Sequence, residues 1–215
     1  MILGVESGVL RRLRLRPRML RGVKDRDMTV TVLGRQRLSM PLGIAPSAMQ
    51  RMAHPDGEEA TAKAAEKAGT VMILSTLSTT SMEDVRKAAP HAILWYQLYV
   101  FQDRELTRRL VKRAEQAGYS ALVLTVDAPV FGRRVSDVRK RFSLPSHLKY
   151  VICCRQSPFL FFFVFFCFMG CFEKMHLINF ISAEDAVLAV RNGIPAIIVS
   201  NHGGRQLDGV ASTVS

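Results

Sequence analysis

The sequence predicts an α/β fold built around a parallel sheet, and three observations support this prediction. Short apolar runs recur with centres near residues 44, 73, 97 and 123, a spacing of about 24 to 29 residues. That spacing is typical of repeated strand–helix units, since a parallel strand needs a long crossover before the next one. Helical patterns fill the intervals. The apolar runs have few polar interruptions, which indicates strands that are buried on both faces.

The predicted strands and helices alternate from residue 41 onward. Helices are indicated at 54–69, after the capping-box pattern of Ser81 and Asp84, and after the cap residue Asp103. The predicted strands are LGIAPSA (42–48), TVMILST (70–76), ILWYQLYV (93–100) and ALVLTVD (121–127).

The pattern resumes after residue 180 and ends in an unusual strand. SAEDAVLAVRNG is a predicted helix that begins after Ser182 and ends at Gly193. The following strand, PAIIVSN (195–201), runs directly into His202, two glycines and Arg205. Because glycine permits a tight backbone turn, we expect both polar side chains to face the same edge of the sheet.

The interval 150–180 differs in composition from the units on either side of it. Its apolar run at 159–172 is shorter than the roughly 18 residues that indicate a membrane span, and it has neither helical nor strand periodicity. We therefore interpret 150–180 as a foreign segment, such as translated intron. A membrane-associated segment is the alternative. No metal site is expected, because no C-x-x-C pair occurs among the four cysteines, Cys153, Cys154, Cys167 and Cys171.

The chain is strongly basic, with a formal net charge of +12 from 30 basic and 18 acidic side chains. This balance suggests an anionic partner, which is either a small carboxylate or phosphate ligand, a membrane surface or nucleic acid. Much of the charge lies in an Arg-rich stretch at 10–26, which has no aromatic side chain for stacking on bases. We interpret this stretch as a solvated approach to the fold and expect no nucleic-acid partner.

Four sequence blocks together closely resemble one enzyme family. They are APSAMQRMAHPDGE (45–58), WYQLYV (95–100), LTVDAPVFGRR (124–134) and IIVSNHGGRQLDG (197–209). The resemblance is to the FMN-dependent α-hydroxy-acid oxidases, the glycolate oxidase family, and it covers roughly residues 10–149 and 181–213. It implies a (β/α)₈ TIM barrel, here with about five of the eight canonical strands, and active-site residues at the carboxyl ends of the strands.

The resemblance also implies a division of the chain. Residues 1–40 form a basic approach segment, and 41–149 form the first strand–helix units of the FMN hydroxy-acid dehydrogenase barrel. The Phe- and Cys-rich foreign segment occupies 150–180. A later unit at 181–215 carries the SNHGGRQLD motif.

The resemblance assigns an FMN cofactor and its contacts. Each assigned residue lies at the end of a predicted strand, where a lone serine or threonine usually just completes a turn. Only their joint position favours a flavin site. The implied contacts are Pro46, Ser47, Ala48, Ser75, Gln97, Thr125 and Ser200.

The family's reaction removes two electrons and two protons from a small 2-hydroxy acid. Arginine binds a substrate carboxylate bidentately, and the resemblance gives this role to Arg134 and Arg205, with Tyr99 as a further substrate contact. It makes His202 the base, because histidine titrates near neutrality, and Asp127 the carboxylate that orients it. The products are a 2-oxo acid and hydrogen peroxide, from O₂.

Three departures from the family pattern lead us to expect an impaired or inactive chain. The family's lysine at the end of the fifth strand corresponds to a place near Ile178 here, in HLINF, so charge stabilisation on the flavin is weakened. We find no segments that resemble strands seven and eight, which hold the phosphate in such barrels. The family's amino-terminal segment is also replaced. Unpaired strand edges and the Phe-rich run predict aggregation.

Two rival functions and a location complete the expectations. The chain is either an enzyme, a non-catalytic isoform that associates with intact subunits, or a protein held at a membrane through 159–172. Relatives of this family are often peroxisomal and oligomeric. The chain ends in STVS and lacks the S-K-L address, so the peroxisomal location is inherited from the resemblance, and the cytoplasm is the alternative.

Overall fold

The computed structural model describes the backbone of residues 16, 18–22, 24–127, 135–152, 175–180, 182–206 and 213, with side chains for all of these except 136 and 175–180. In these ranges the strands are β1 (Val30–Val32), β2 (Gln36–Leu38), β3 (Val71–Leu74), β4 (Ile93–Leu98), β5 (Ala121–Thr125), β6 (Met175–Phe180) and β7 (Ile198–Val199). The α-helices are α1 (Gly57–Ala68), α2 (Met82–Ala88), α3 (Arg104–Gln116), α4 (Val135–Arg139) and α5 (Ala183–Arg191).

The predicted helix caps are confirmed. The side chain of Ser81 accepts a hydrogen bond from the third residue of α2, and Asp103 does the same for α3. Ser182 caps α5 in the same way, through the backbone N–H of Asp185 at 3.1 Å. Each cap satisfies one of the amide groups that a helix leaves unpaired at its start.

The main sheet contains β3 to β7, and all of its strands are parallel. Each strand lies beside the one that precedes it in the sequence. This sequential order is that of a (β/α)₈ barrel, since a doubly wound sheet reverses its order at a switch point. The described residues therefore form part of a TIM-type barrel wall.

Both faces of the main sheet are covered. Because successive side chains of a strand point to opposite faces, Leu74, Tyr96 and Leu124 pack with the helices. On the other face Trp95 and its neighbours pack with the antiparallel hairpin β1–β2. The indole Nε1 of Trp95 donates to Gln36 Oε1 at 2.7 Å, which ties the hairpin to the barrel interior.

Three strand predictions differ from the structure, and one of them is the predicted strand 195–201, which is reduced to Ile198–Val199. The predicted strand 42–48 is reduced to one parallel bridge between Ile44 and Met72. The chain leaves the sheet at Pro46, which has no N–H to continue the ladder. Conversely, Met175–Phe180 lies in the interval we interpreted as foreign, yet it pairs with β5 and β7. Backbone hydrogen bonds create this strand, and the pattern of side chains did not reveal it.

Several features of the sequence lie outside the described residues. These are the cysteines, the apolar run at 159–172 and most of 150–180. Within the described ranges, none of the helices has both the length and the apolar character required to cross a membrane.

Candidate active site

Three buried polar side chains occupy neighbouring strand ends. Ser75, Gln97 and Thr125 continue the alternation of the interior-facing residues of β3, β4 and β5, which places them on the barrel side of the sheet. Gln97 Nε2 donates to Thr125 Oγ1 at 3.0 Å, and Gln97 Oε1 accepts from the backbone N–H of Thr76 at 3.0 Å. These two bonds fix the orientation of the Gln97 amide.

The structure brings His202 and Asp127 together across 75 residues of sequence. His202 Nδ1 lies 3.0 Å from Asp127 Oδ1 and 3.1 Å from Oδ2. The Asp127 side chain is fully buried, and the His202 side chain is 21% exposed. A carboxylate in its ionised form would only accept hydrogen bonds, and the facing Nδ1 would then be the donor and Nε2 the acceptor of the imidazole.

A left-handed backbone turn presents His202. The φ angles of His202, Gly203 and Gly204 are 58°, 66° and 65°, so the unusual conformation begins at the histidine itself. A non-glycine residue rarely adopts this region without compensating contacts. Such contacts are present: the backbone N–H of His202 donates to Ser200 Oγ at 3.0 Å, and the Asn201 side chain accepts from Gly204 N–H at 3.3 Å.

The segment 46–48 lies directly after the single bridge of Ile44. Pro46 and Ala48 are half-buried, and Ser47 is exposed. The Ser47 carbonyl accepts from Gln50 Nε2 at 3.4 Å. The segment then turns at Met49, whose backbone N–H donates to the carbonyl of Leu77 in the loop after β3 at 3.2 Å.

The predicted substrate contacts are distributed differently. Tyr99 is half-buried just beyond the end of β4, and its backbone N–H donates to Thr76 Oγ1 at 3.3 Å. Arg205 is exposed on the loop that carries His202, three residues further on. Arg134 lies outside the described residues. The structure therefore brings His202 and Asp127 into contact and leaves Arg205 at the surface of the same loop.

Two residues with contacts at this edge were missed by sequence analysis. Thr76 joins two strand ends, because its hydroxyl donates to the Gln97 carbonyl and accepts from Tyr99 N–H. Glu58 is fully buried, and the backbone N–H of Gln50 donates to its carboxylate at 3.1 Å. Glu58 ends the family block 45–58, but no sequence signal marks its burial, because acidic residues in the first turn of a helix are common and usually solvated.

The strand-end residues fit the flavin that the resemblance implies. A flavin ring is a flat aromatic system whose edge carries carbonyl and N–H groups. Hydroxyl and amide side chains can match both donors and acceptors on that edge. Ser75, Gln97 and Thr125 supply such groups from a buried position. Carboxylates at this point would suit a flavin edge less well, because they only accept hydrogen bonds.

Sequence comparison identifies the family. The family described as FMN-dependent dehydrogenase matches residues 6–159 and 179–215. The chain is 41% identical to 2-hydroxyacid oxidase 1 of Mus musculus, over 94% of this chain and 61% of the mouse protein. It is 44% identical to glycolate oxidase 1 of Zea mays, over 95% of this chain and 61% of the maize protein. The chain thus spans about three fifths of the length of these relatives.

Structural comparison agrees with the sequence. A crystal structure of mandelate oxidase superimposes with a TM-score of 0.89 and 35% sequence identity, over 98% of this chain and 63% of that one. A mandelate oxidase mutant with the C4a-OH-FMN adduct superimposes with a TM-score of 0.88 and 35% identity, over the same shares of the two chains. The partial parallel barrel, its strand-end polar side chains and these matches establish that the chain belongs to the FMN-dependent dehydrogenase family.

Proposed function

We propose that this chain binds FMN at its strand ends and that the site's chemistry is oxidation of a small (S)-2-hydroxy acid to a 2-oxo acid. Glycolate is the proposed substrate type, and O₂ is the proposed acceptor, giving hydrogen peroxide. The observation that carries this proposal is the His202–Asp127 pair at 3.0 Å. It lies at the same end of the strands as the buried side chains of Ser75, Gln97 and Thr125.

His202 acts as the base. With its Nδ1 proton held by the buried Asp127 carboxylate, Nε2 is the atom that accepts a proton from the substrate. The negative charge of Asp127 stabilises the protonated imidazole that results, as in other histidine–carboxylate pairs. The partial exposure of the His202 side chain supports access by a small substrate.

The substrate carboxylate is bound by arginine. Arg205 is exposed on the His202 loop, and a guanidinium group matches a carboxylate with two parallel hydrogen bonds. By family resemblance, we assign the second guanidinium to Arg134. By the same resemblance, Tyr99 forms a hydrogen bond with the substrate.

The flavin is held by residues at the ends of the barrel strands. When bound, FMN supplies the acceptor for the two electrons that leave the substrate. Side chains at these strand ends orient the ring and exclude water from it. The residues assigned to this task are Pro46, Ser47, Ala48, Ser75, Gln97, Thr125 and Ser200.

We expect the rate to be low. The position of the family's lysine falls near Ile178, in β6, where the sequence MHLINF has no lysine to balance negative charge on the flavin. Preorganised charge stabilisation of this kind contributes factors of about 10² to 10³ to a rate. Glycolate-dependent peroxide formation should therefore fall far below that of a complete relative, and a comparable rate would contradict this expectation.

One experiment tests the cofactor and the reaction in turn. The purified chain is incubated with FMN, desalted and examined by visible absorption, then mixed with glycolate without oxygen. Retained flavin bands that bleach on mixing support the proposal. A colourless protein contradicts FMN binding, and bands that never bleach contradict the oxidation.

A second candidate function is association with other barrel subunits without catalysis. On α5 the residues Val187, Leu188 and Val190 are 50%, 53% and 62% exposed, and such apolar faces favour contact with another protein. Co-purification with a tagged full-length relative, together with an absent flavin spectrum, would favour this function. A monomeric chain with bound flavin would exclude it.

The proposed location is the peroxisome, as for the family. An amino-terminal fluorescent fusion that coincides with a peroxisomal marker supports it, and a diffuse signal contradicts it.

A further inference from the structure

The buried carboxylate of Glu58 links two loops that the proposed flavin site depends on. Its side chain is fully buried in the first turn of α1. Oε1 accepts from Gln50 N–H at 3.1 Å and from Thr79 N–H at 2.8 Å. The hydroxyls of Thr79 and Thr80 also donate to the carboxylate, at 2.8 Å and 2.7 Å to Oε2.

These partners are not local to α1. A glutamate in the first turn of a helix usually bonds its own turn or remains solvated, because both options are available without burial. Glu58 instead takes its donors from positions 8, 21 and 22 residues away. Burying a carboxylate is costly unless its oxygens are well bonded, so this set of contacts has to form together for the fold to tolerate the charge.

The carboxylate is ionised at neutral pH. Burial acts to raise the pKa of Glu58, but the hydrogen bonds from Thr79 and Thr80 outweigh it, and the pKa lies below the ordinary glutamate value. The start of α1 adds a favourable helix dipole. Arg51 also contacts both threonine hydroxyls, through its backbone N–H and its Nε, and so lies one group away from the carboxylate.

Each linked loop carries part of the proposed flavin site. On one side, the Gln50 side chain donates to the carbonyl of Ser47. On the other, the loop 75–80 begins with Ser75, whose hydroxyl accepts from Leu77 N–H at 3.1 Å. The two loops also meet directly, where Met49 N–H donates to the Leu77 carbonyl.

We propose that Glu58 is a positioning residue for the flavin site: its carboxylate fixes the spacing between segment 46–50 and the loop after β3. This inference rests on the proposed function, since the flavin is the ligand whose fit depends on that spacing. The proposed action of Glu58 is indirect, through its contacts with Gln50 and Thr79.

The test compares Glu58→Gln with Glu66→Gln, a matched change on the same helix. Glu66 lies two turns further along α1, where its carboxylate accepts from the backbone N–H of His91. Riboflavin and FMN are titrated by fluorescence quenching. We expect Glu58→Gln to weaken both by about tenfold, as for loss of a hydrogen bond to a charged group. Glu66→Gln should leave both unchanged.

Equal losses for riboflavin and FMN distinguish positioning of the ring from an effect on the phosphate. A loss confined to FMN, or equal losses in Glu58→Gln and Glu66→Gln, overturns the inference. Thr80→Val provides a second variant, since it keeps the side-chain shape and removes one donor to Glu58 together with the acceptor of Arg51 Nε. If Glu58→Gln does not fold, Thr80→Val should still weaken both ligands measurably, and unchanged binding in that variant overturns the inference.

Hydrogen exchange separates this inference from the proposed function. In the chain without flavin, Glu58→Gln should speed exchange of the amides of Met49, Gln50 and Thr79 more than exchange in β4. If the wild-type chain binds no flavin, the proposed function fails, and this exchange pattern still tests the link. Uniform acceleration, or none at these amides, overturns the link itself.

Discussion

The two regions that form the candidate site differ in how completely their side chains are buried. Strands β3 to β5 have almost entirely buried side chains, and α1 to α3 close over them. The unit that presents His202 ends in a strand of two residues, β7, in which Val199 is 57% exposed. Its helix α5 buries only Ala189 among the described residues.

This difference in packing separates the region expected to stabilise the fold from the region proposed to carry the chemistry. Three of the proposed flavin contacts, Ser75, Gln97 and Thr125, lie at the ends of β3 to β5, whose side chains are almost all buried. The proposed base, His202, follows α5 and β7, whose apolar side chains are partly exposed among the described residues. The contact of His202 with Asp127 links this unit to the region of β3 to β5. We therefore expect the first region to govern stability and the second to govern chemistry.

The largest expected effect is on the reaction, through His202. Replacing His202 by alanine removes the base, and general-base catalysis contributes about 10² to 10⁴ in rate. Flavin bleaching by glycolate should slow by that factor, with little change in flavin binding. His54→Ala is the control, because the His54 side chain is 68% exposed and lies on the loop before α1. Similar slowing in both variants would contradict the assignment of His202 as the base.

The next effect contrasts one leucine from each region. Leu110 of α3 is 3% exposed, whereas Leu188 of α5 is 53% exposed. Leu110→Ala should lower the free energy of unfolding by about 2 to 5 kcal/mol, because it leaves a cavity. Leu188→Ala should change it by less than about 0.5 kcal/mol. Urea unfolding followed by circular dichroism measures both, and equal losses would contradict the difference in packing between the regions.

A smaller effect comes from the equivalent helix caps of the two regions. Ser81→Ala and Ser182→Ala each remove one cap hydrogen bond, worth about 1 kcal/mol. Because α2 packs in the buried core with β3 to β5, Ser81→Ala should lower the free energy of global unfolding by that amount. Ser182→Ala should mainly speed local opening of α5, which hydrogen exchange detects. An equal shift in the global unfolding midpoint would show that the two regions unfold as one unit.

The smallest expected effect is a pH-dependent change in stability from an ion pair between α2 and α3. Glu83 of α2 accepts two hydrogen bonds from Arg113 of α3, at 2.6 Å and 2.7 Å, and these bonds lower the pKa of Glu83. The ionised carboxylate thus favours the folded state. The stabilisation is present above the unfolded glutamate pKa of about 4.3 and is lost as pH falls through the lower folded value.

Because Glu83 is half-exposed, the pair should contribute no more than about 1 kcal/mol. Glu83→Gln should therefore reduce stability more at pH 7 than at about pH 3, because the stabilisation fades as pH falls below the unfolded pKa toward the lower folded value. The difference should shrink in about 1 M salt if the attraction is solvent-screened. A variant that is equally destabilised at both pH values would assign the contribution to packing of the side chain.

Local features of the fold were predictable from the sequence. The caps Ser81, Asp103 and Ser182 depend on residues three positions apart, so the sequence contains the whole interaction. The same holds for β3 to β5, whose apolar runs are continuous. Strand β6 was not predicted, because its pairing with β5 requires backbone alignment across an irregular register near Leu122.

The site divides in the same way. The positions of Ser75, Gln97 and Thr125 at strand ends follow from strand period and order, and their roles were suggested by family resemblance. Burial of Glu58 was not predictable, since its donors at Gln50 and Thr79 belong to loops that meet only after folding. The exposure of Arg205 was likewise visible only in the structure.

The amino-acid sequence, with interactions between residues a few positions apart, was enough to define the alternation of strands and helices and the helix starts. It also defined the family to which the chain belongs. Three further features depend on the folded molecule as a whole. His202 begins the left-handed turn, its Nδ1 meets a fully buried Asp127, and Glu58 joins two loops. Such contacts form when parallel strands align their carboxyl ends, because that alignment brings distant loops together at one edge of the sheet.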